Sequence, residues 1–267
     1  MRKVLSIAGS DCSGGAGIQA DLKTFSAHGV YGMTVITSVV AENTCRVIEF
    51  QDVRPDIIAK QIDAVFEDIP PDAVKVGMLS CRETMLTVAD KLQEWQASNV
   101  VIDPVMYAKN GCELMDSGAV DTLIAKVIPL ADVLTPNIPE AEKITGIQIR
   151  TRDDMIEAAH EIHKGGCKAV IIKGGHSDGD ATDILFDGRE IYSFSSPRIH
   201  TKNTHGTGCT FSSAVAANLA NGNTFAKSVE LAKDYITAAI EHSLQIGKGH
   251  GPTNHFHNFF KNGEFQI

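Results

Sequence analysis

The chain has 267 residues, 43% of them hydrophobic and 21% charged, which suits a single α/β domain over residues 1–267 with a well-buried core. Its formal net charge of −9 excludes the clustered Lys and Arg surface that nucleic acid or an anionic membrane requires, so neither is an expected partner. The apolar run after Arg2 and Lys3 is about five residues, too short for a secretory leader, and no stretch reaches the roughly 20 apolar residues of a spanning helix, so a cytoplasmic location is expected.

Short β-branched runs alternate with helical patterns through the first two thirds of the chain, the signature of β-α-β units around a mostly parallel sheet. The first strand is expected at 4–8 and leads into a glycine-rich loop that opens a helix. Gly15-Ala16-Gly17-Ile18-Gln19-Ala20 matches a loose dinucleotide fingerprint. However, the loop before it (Gly9 to Ser13) is long, and no acidic residue caps a second strand about 20 positions later. Asp11 and Asp21, which flank this loop, suit a small hydroxylated substrate better.

Further strands are expected at 34–40, 73–78, 100–103, 132–135 and 169–173, with covering helices at 56–68, 83–96 and 155–164. Beyond Gly175 the pattern becomes a hairpin, with arms at 182–186 and 190–194 and a tight Asp187-Gly188 turn, so the sheet should carry an antiparallel margin. Two long helices follow at 208–221 and 224–244. The six cysteines (Cys12, Cys45, Cys81, Cys112, Cys167 and Cys209) contain no C-x-x-C pair and read as reduced thiols.

The Walker signature and the H-R-D and D-F-G signatures of protein kinases are absent, so any phosphate must be held by another device. Asn203-Thr204-His205-Gly206-Thr207-Gly208-Cys209-Thr210-Phe211 offers one. Gly206 and Gly208 let the backbone turn just before an Ala/Ser-rich helix, whose first amides and dipole form an anion hole. A plain glycine cap is the alternative. Cys209 in that first turn is where a thiol's pKa is lowered, poising a thiolate as a base; a packing cysteine is the alternative.

Thr135-Pro136-Asn137-Ile138-Pro139-Glu140 joins a strand to a helix. Asn137 and Glu140 can face one ligand there and suit hydrated Mg²⁺ on a nucleotide phosphate, although Asn137 also reads as a helix cap. Lys173, at a strand end before Gly174 and Gly175, aims charge at the cleft if it is not merely solvated. His250, His255 and His257 share no helical register and are not read as a metal site, while His160 and His163 read as surface residues.

The chain closely resembles the hydroxymethylpyrimidine/phosphomethylpyrimidine kinases, the thiamine-pathway branch of the ribokinase-like superfamily. The resemblance runs nearly end to end. It rests on Ala8-Gly9-Ser10-Asp11, Ser13 to Phe25, Ala41-Glu42-Asn43-Thr44, Val76-Gly77-Met78-Leu79, Asp103-Pro104-Val105-Met106, Thr135-Pro136-Asn137, Lys173-Gly174-Gly175-His176, Thr201 to Thr210 and Gly249 to Phe256.

This resemblance implies a doubly wound, mostly parallel α/β/α sandwich, a homodimer, and use of ATP with Mg²⁺ to phosphorylate a hydroxymethylpyrimidine and then its monophosphate. It assigns the pyrimidine to Gly9, Glu42, Met78 and Val105, with Glu42 standing where glutamine also occurs in the family. It assigns the transferring group to Gly206, Thr207 and Gly208, proton acceptance to Cys209 and charge neutralisation to Lys173. Asn137, Glu140 and Thr201 fall to the nucleotide and its ion. Separately from the resemblance, residues 108–113, with Gly111 inside them, are the expected lid, since water must be kept from ATP. A pyridoxal or pyridoxine kinase of the same superfamily, or a pyrimidine sensor without catalysis, are the competing readings.

Overall fold

The computed structural model describes residues 1–108, 111–175, 179–261 and 264–265. One nine-stranded sheet runs through the middle of the molecule. Its strands are β1 (Lys3–Asp11), β2 (Tyr31–Glu42), β3 (Val47–Asp52), β4 (Ala73–Val76), β5 (Val100–Ile102), β6 (Val133–Leu134), β7 (Ala169–Ile172), β8 (Ala181–Phe186) and β9 (Ile191–Ser196), in the spatial order β3-β2-β1-β4-β5-β6-β7-β8-β9.

The six central strands are parallel, and the pairs at both margins are antiparallel. The expected margin on the β8–β9 side is therefore present, and a second one stands at β3. Val47-Ile48-Glu49-Phe50 does not alternate cleanly, which is why no strand is read there from the sequence. The β8–β9 turn spans 187–190 rather than two residues: the Asp187 carboxylate accepts from the amides of Arg189 (2.9 Å) and Glu190 (2.8 Å), and Gly188 supplies the positive φ of +87°.

Strand composition follows position. Ala73-Val74-Lys75-Val76 and Ala169-Val170-Ile171-Ile172 are buried on both faces, as central parallel strands must be. Leu5, Ile7, Val74 and Val76 point to a core shared with α2 (Pro55–Asp68), α3 (Arg82–Glu94), α5 (Ile138–Thr145) and α6 (Arg152–Lys164). Between α3 and β6 runs an irregular helical stretch: a 3-10 turn at Ser117–Ala119, a short α4 (Val120–Thr122), a π turn at Leu123–Val127 and a second 3-10 turn at Ile128–Leu130.

Val4, Ala73, Val101 and Ala169 face the other way, onto α1 (Gly17–Ala27), α7 (Thr207–Ala220) and α8 (Phe225–Glu241). Every residue of α7 from Thr210 onward is buried, so its Ala/Ser-rich sequence lets it lie close between sheet and α8. A short antiparallel pair, β10 (Phe260–Lys261) and β11 (Glu264–Phe265), follows near the C-terminus.

The chain moves from β1 to β2 in one direction and then returns to build β4 to β7 on the other side, so the order reverses between β1 and β4. Ligands of open α/β sheets bind beyond the carboxyl ends of the strands at such a reversal. Among the described residues no helix is long and apolar enough to cross a membrane.

Candidate active site

A cavity of about 530 Å³ opens at that reversal. Gly9, Asp11, Glu42, Met78, Val105, Asn137, Glu140, Lys173, Gly206, Thr207, Gly208 and Cys209 all line it, so segments separated by up to 200 positions in the sequence reading converge on one space. Asp21 and Thr201 do not reach it. Asp21 is fully buried beneath the floor, and Thr201 accepts the Asn203 amide at 3.1 Å and lies 3.5 Å from the Ser243 hydroxyl.

One part of the wall is apolar with a single acid in it. Val40, Met78 and Leu114 pack together with Val105 and Ala108, and a side chain at Gly9 would stand 3.1 Å from the Met78 sulfur. Glu42 lies beside this patch. Its carboxyl, Asp11 and His205 bring ligand atoms within 4.8 Å of one another, the one such group of three among the described residues.

Asp11 is 2% exposed, and burial opposes its charge. Even so, the His205 ring at 2.9 Å and the amides of Ser13 (2.7 Å), Gly15 (2.9 Å) and Ala16 (2.7 Å) hold its carboxyl well below the usual range. Glu42 goes the other way. Burial first, and the neighbouring Asp11 charge second, push its carboxyl up to about 7. Near neutral pH it is thus partly protonated, and the protonated form donates as well as accepts.

A second part of the wall is the mouth of α7. Gly206 caps the helix at φ +76°, and a Cβ there would lie 1.8 Å from the Gly15 carbonyl oxygen, so only glycine brings the two loops this close. Thr210 N–H bonds the Gly206 carbonyl, whereas the Gly208 and Cys209 amides have no acceptor among the described residues. Beside them, the Lys173 ammonium donates to Asp103 at 2.8 Å; although burial disfavours its charge, Asp103 and Glu140 raise its pKa and keep it an ammonium. A Cβ on Gly208 would sit 3.5 Å from the Lys173 Nζ, which places cation and open amides together.

Asn137 and Glu140 form a capping box on α5. The Glu140 amide donates to Asn137 Oδ1 at 2.9 Å, and the Asn137 amide donates to Glu140 Oε2 at 2.8 Å. Asn137 therefore serves as the helix cap that the sequence offered as its alternative reading, and its Oδ1 keeps a second lone pair. Burial, opposed by Lys173, pushes the Glu140 carboxyl up to about 7. With Asp103 held by Lys173 and Thr135, these groups fit an ion that arrives with the nucleotide rather than a resident metal.

Cys209 lines the cavity in the first turn of α7, but its thiol is not poised as the helix dipole alone suggests. Burial pushes it up to about 11; Lys75 pulls it down, and Asp21 and Asp103 add to the rise. Low-dielectric surroundings outweigh the dipole here.

Four groups in or beside the cavity carry no role in the sequence reading. Lys75 is fully buried yet contributes to the wall; it sits in an apolar strand, where a lone lysine was the available signal. Asp103 holds Lys173 and the Thr135 hydroxyl. His205 ties two loops together, and the Asp183–Lys233 pair, 2.8 Å apart, also lines the space.

The lid segment 108–113 is described except for 109 and 110. Tyr107 bridges Glu113, and the Ala108 amide bonds the Cys112 carbonyl at 2.8 Å. His176 lies outside the described residues. His250, His255 and His257 each bond a different group (the Lys202 carbonyl, Thr210 and the Asn254 carbonyl), and the His160 and His163 rings pack on Phe186.

The phosphomethylpyrimidine kinase family model matches residues 11–254. The chain is 53% identical over 253 residues to the thiamine biosynthesis bifunctional protein ThiED of Geobacter sulfurreducens, covering 94% of this chain but 52% of that protein, about half its length. It is 48% identical over 256 residues to the hydroxymethylpyrimidine/phosphomethylpyrimidine kinase of Bacillus subtilis, covering 95% and 94%.

Among solved structures, an ADP complex of Bacillus subtilis pyridoxal kinase superposes with a TM-score of 0.89 at 42% identity, covering 97% of this chain and 98% of the other. A phosphomethylpyrimidine kinase from Clostridium difficile does so with a TM-score of 0.82 at 49% identity, covering 90% and 100%. A match this long, over a cavity that gathers open amides, a lysine and an acid beside an apolar patch, means that the chain belongs to the phosphomethylpyrimidine kinase family.

Proposed function

We propose that this kinase moves the terminal phosphoryl group of ATP, supplied as its Mg²⁺ complex, onto the hydroxymethyl group of 4-amino-5-hydroxymethyl-2-methylpyrimidine. It then phosphorylates the resulting monophosphate, towards thiamine diphosphate. The observation that carries this reading is that one cavity is lined both by the open amides of Gly208 and Cys209 with Lys173 and by Glu42 with Met78 and Val105.

Each set of groups has a task. Met78 and Val105 contact a flat ring, while Glu42, carrying a proton near neutrality, accepts from an exocyclic amine and donates to the adjacent ring nitrogen. Phosphoryl transfer is largely positioning plus charge neutralisation, which the α7 amides and Lys173 supply. In the first transfer Cys209 takes the hydroxyl proton. In the second the acceptor is already an anion and needs no base, only screening.

Glu140 orients water around the incoming ion, and residues 108–113 cover the cavity during transfer. The same reading carries a cytoplasmic homodimer; exposed apolar Val39 and Ile48 on the β2–β3 margin are surface that such an association would cover. The likeness to a pyridoxal kinase supports a second reading, in which a pyridoxine-type alcohol is the acceptor. Purified protein supplied with ATP and each alcohol in turn decides: the pyrimidine should turn over faster, and faster turnover of the pyridoxine-type alcohol would replace it as the substrate.

A further inference from the structure

Lys75 and Asp21 form a fully buried ion pair, 3.0 Å apart with both side chains at 0% exposure. The sheet register fixes the pair: Ser6 on β1 stands opposite Lys75 on β4, and both face α1 and α7. Asp21 accepts from the Ser6 hydroxyl (2.5 Å), from the Lys75 Nζ and from the Ser213 hydroxyl (2.6 Å).

Ser213 lies four residues after Cys209 on α7, so the two share one helical face, one turn apart. The ion pair therefore sits one turn beneath the cavity thiol. Lys75 reaches past it to the cavity wall, and a Cβ on Gly77 would stand 2.7 Å from its Nζ, so glycine keeps that path open. Asp21 is the one hydrogen-bond acceptor of this ammonium among the described residues, which leaves two N–H groups for the cavity side. Burying such a pair gains little stability, because desolvation offsets the attraction. The arrangement calls for a role in the chemistry.

We propose that Lys75 is a positioning residue for the first transfer: its ammonium, fixed by Asp21, faces Cys209 and stabilises negative charge on the sulfur that accepts the hydroxyl proton. This rests on the base role of Cys209. The step balances as follows. The substrate O–H proton passes to the thiolate, the oxygen lone pair forms the new P–O bond, and the bond between the γ-phosphorus and the bridging oxygen breaks to release ADP. The thiol afterwards returns its proton to solvent.

The charged and polar groups that act on the sulfur come from four elements: Lys75 on β4, Asp103 after β5, Asp21 and the Gly17 amide on α1, and Lys173 after β7. Lys75 is the first of those that favour the thiolate, acting against burial.

The test is the double variant Asp21→Asn/Lys75→Met, which removes both charges and leaves no carboxylate stranded. Because the Lys75 charge outweighs the opposing Asp21 charge at the sulfur, iodoacetamide labelling of each cysteine, followed by mass spectrometry at pH 8, should show Cys209 slowed several-fold while exposed Cys12 and Cys45 label as before. The alcohol step should lose about as much in kcat and the phosphate step much less. Unchanged Cys209 labelling, or equal losses in both transfers, overturns the proposal.

Ser213→Ala keeps both charges and loosens only the clamp on Asp21, so it covers the case of a double variant that does not fold; Cys209 labelling should slow about twofold or more, and no change counts against the role. Cys209→Ala separates the two claims. If it retains the alcohol step while the double variant still slows labelling of Cys209, the base reading fails and the charge pairing stands.

Discussion

His205 Nε2 lies 2.9 Å from Asp11 Oδ2, across 194 positions of sequence. With a carboxylate as partner, that nitrogen carries the proton. The bond clamps the loop after β1, whose amides already converge on Asp11, to the turn that opens α7. It thereby ties the Glu42 side of the cavity to the open amides of α7, and it keeps Asp11 charged beside Glu42.

That charge has a measurable consequence. A carboxyl raised from 4.5 to about 7 contributes fully to stability below pH 4.5 and loses that contribution as pH rises to about 7. Glu42→Gln, neutral throughout, should therefore melt close to wild type at pH 4.5 and a few degrees higher at pH 8, partial exposure trimming the difference. Calorimetric melting curves that stay parallel across this range contradict the raised acid.

Truncating the same residue tests its place in recognition. Glu42→Ala should weaken pyrimidine binding by about 1–3 kcal/mol, the cost of losing hydrogen bonds in a partly buried site, and leave ATP affinity nearly unchanged. Titration calorimetry with each ligand separates the two, and an unchanged pyrimidine affinity refutes the placement.

Gly206→Ala should damage fold and function together. The new methyl meets the Gly15 carbonyl at 1.8 Å, on a backbone already left-handed. Strain of about 1–2 kcal/mol from the backbone alone, plus the clash, should lower the melting temperature by several degrees and abolish tight nucleotide binding. A stable variant that binds nucleotide normally means the loops are not in contact.

Below a pKa of about 11, the ionised fraction of a thiol rises tenfold with each unit by which the pH increases. The kcat of the alcohol step should therefore climb with pH from 6 to 8, and that of the phosphate step should not. Profiles of the same slope for both acceptors exclude Cys209 as the base.

Lys173→Met removes the cation beside the open amides. Both transfers should fall by about 10²–10³ in kcat, comparable to losing a donor to a developing negative charge, with the pyrimidine KM little changed. Steady-state rates with the alcohol and with the monophosphate decide this. A loss confined to KM makes Lys173 a binding group alone.

Much of this was legible from residue order, because the chemistry sits at strand ends that local patterns mark. Lys173 before two glycines and Gly206 to Cys209 before an Ala/Ser-rich helix announce themselves within ten residues. β3 did not, since its side chains lack alternation on a sheet margin. Asp21 looked like a substrate group from its neighbours, but only the packing of α1 against Ser6, Lys75 and Ser213 shows it buried as a counter-charge. The Cys209 thiol was misjudged for a related reason: a helix start is visible in sequence, whereas the burial that outweighs it is not. Asn137 illustrates the reverse, a cap that spacing to Glu140 had offered as an alternative.

The most direct measurement is a crystal structure with a non-hydrolysable ATP analogue and the hydroxymethylpyrimidine bound together. The γ-phosphate should accept from the Gly208 and Cys209 amides within reach of Lys173, with the ring between Met78 and Val105 and its amine on Glu42. A nucleotide bound away from the α7 turn, or a ring seated elsewhere in the cavity, would contradict the proposed chemistry.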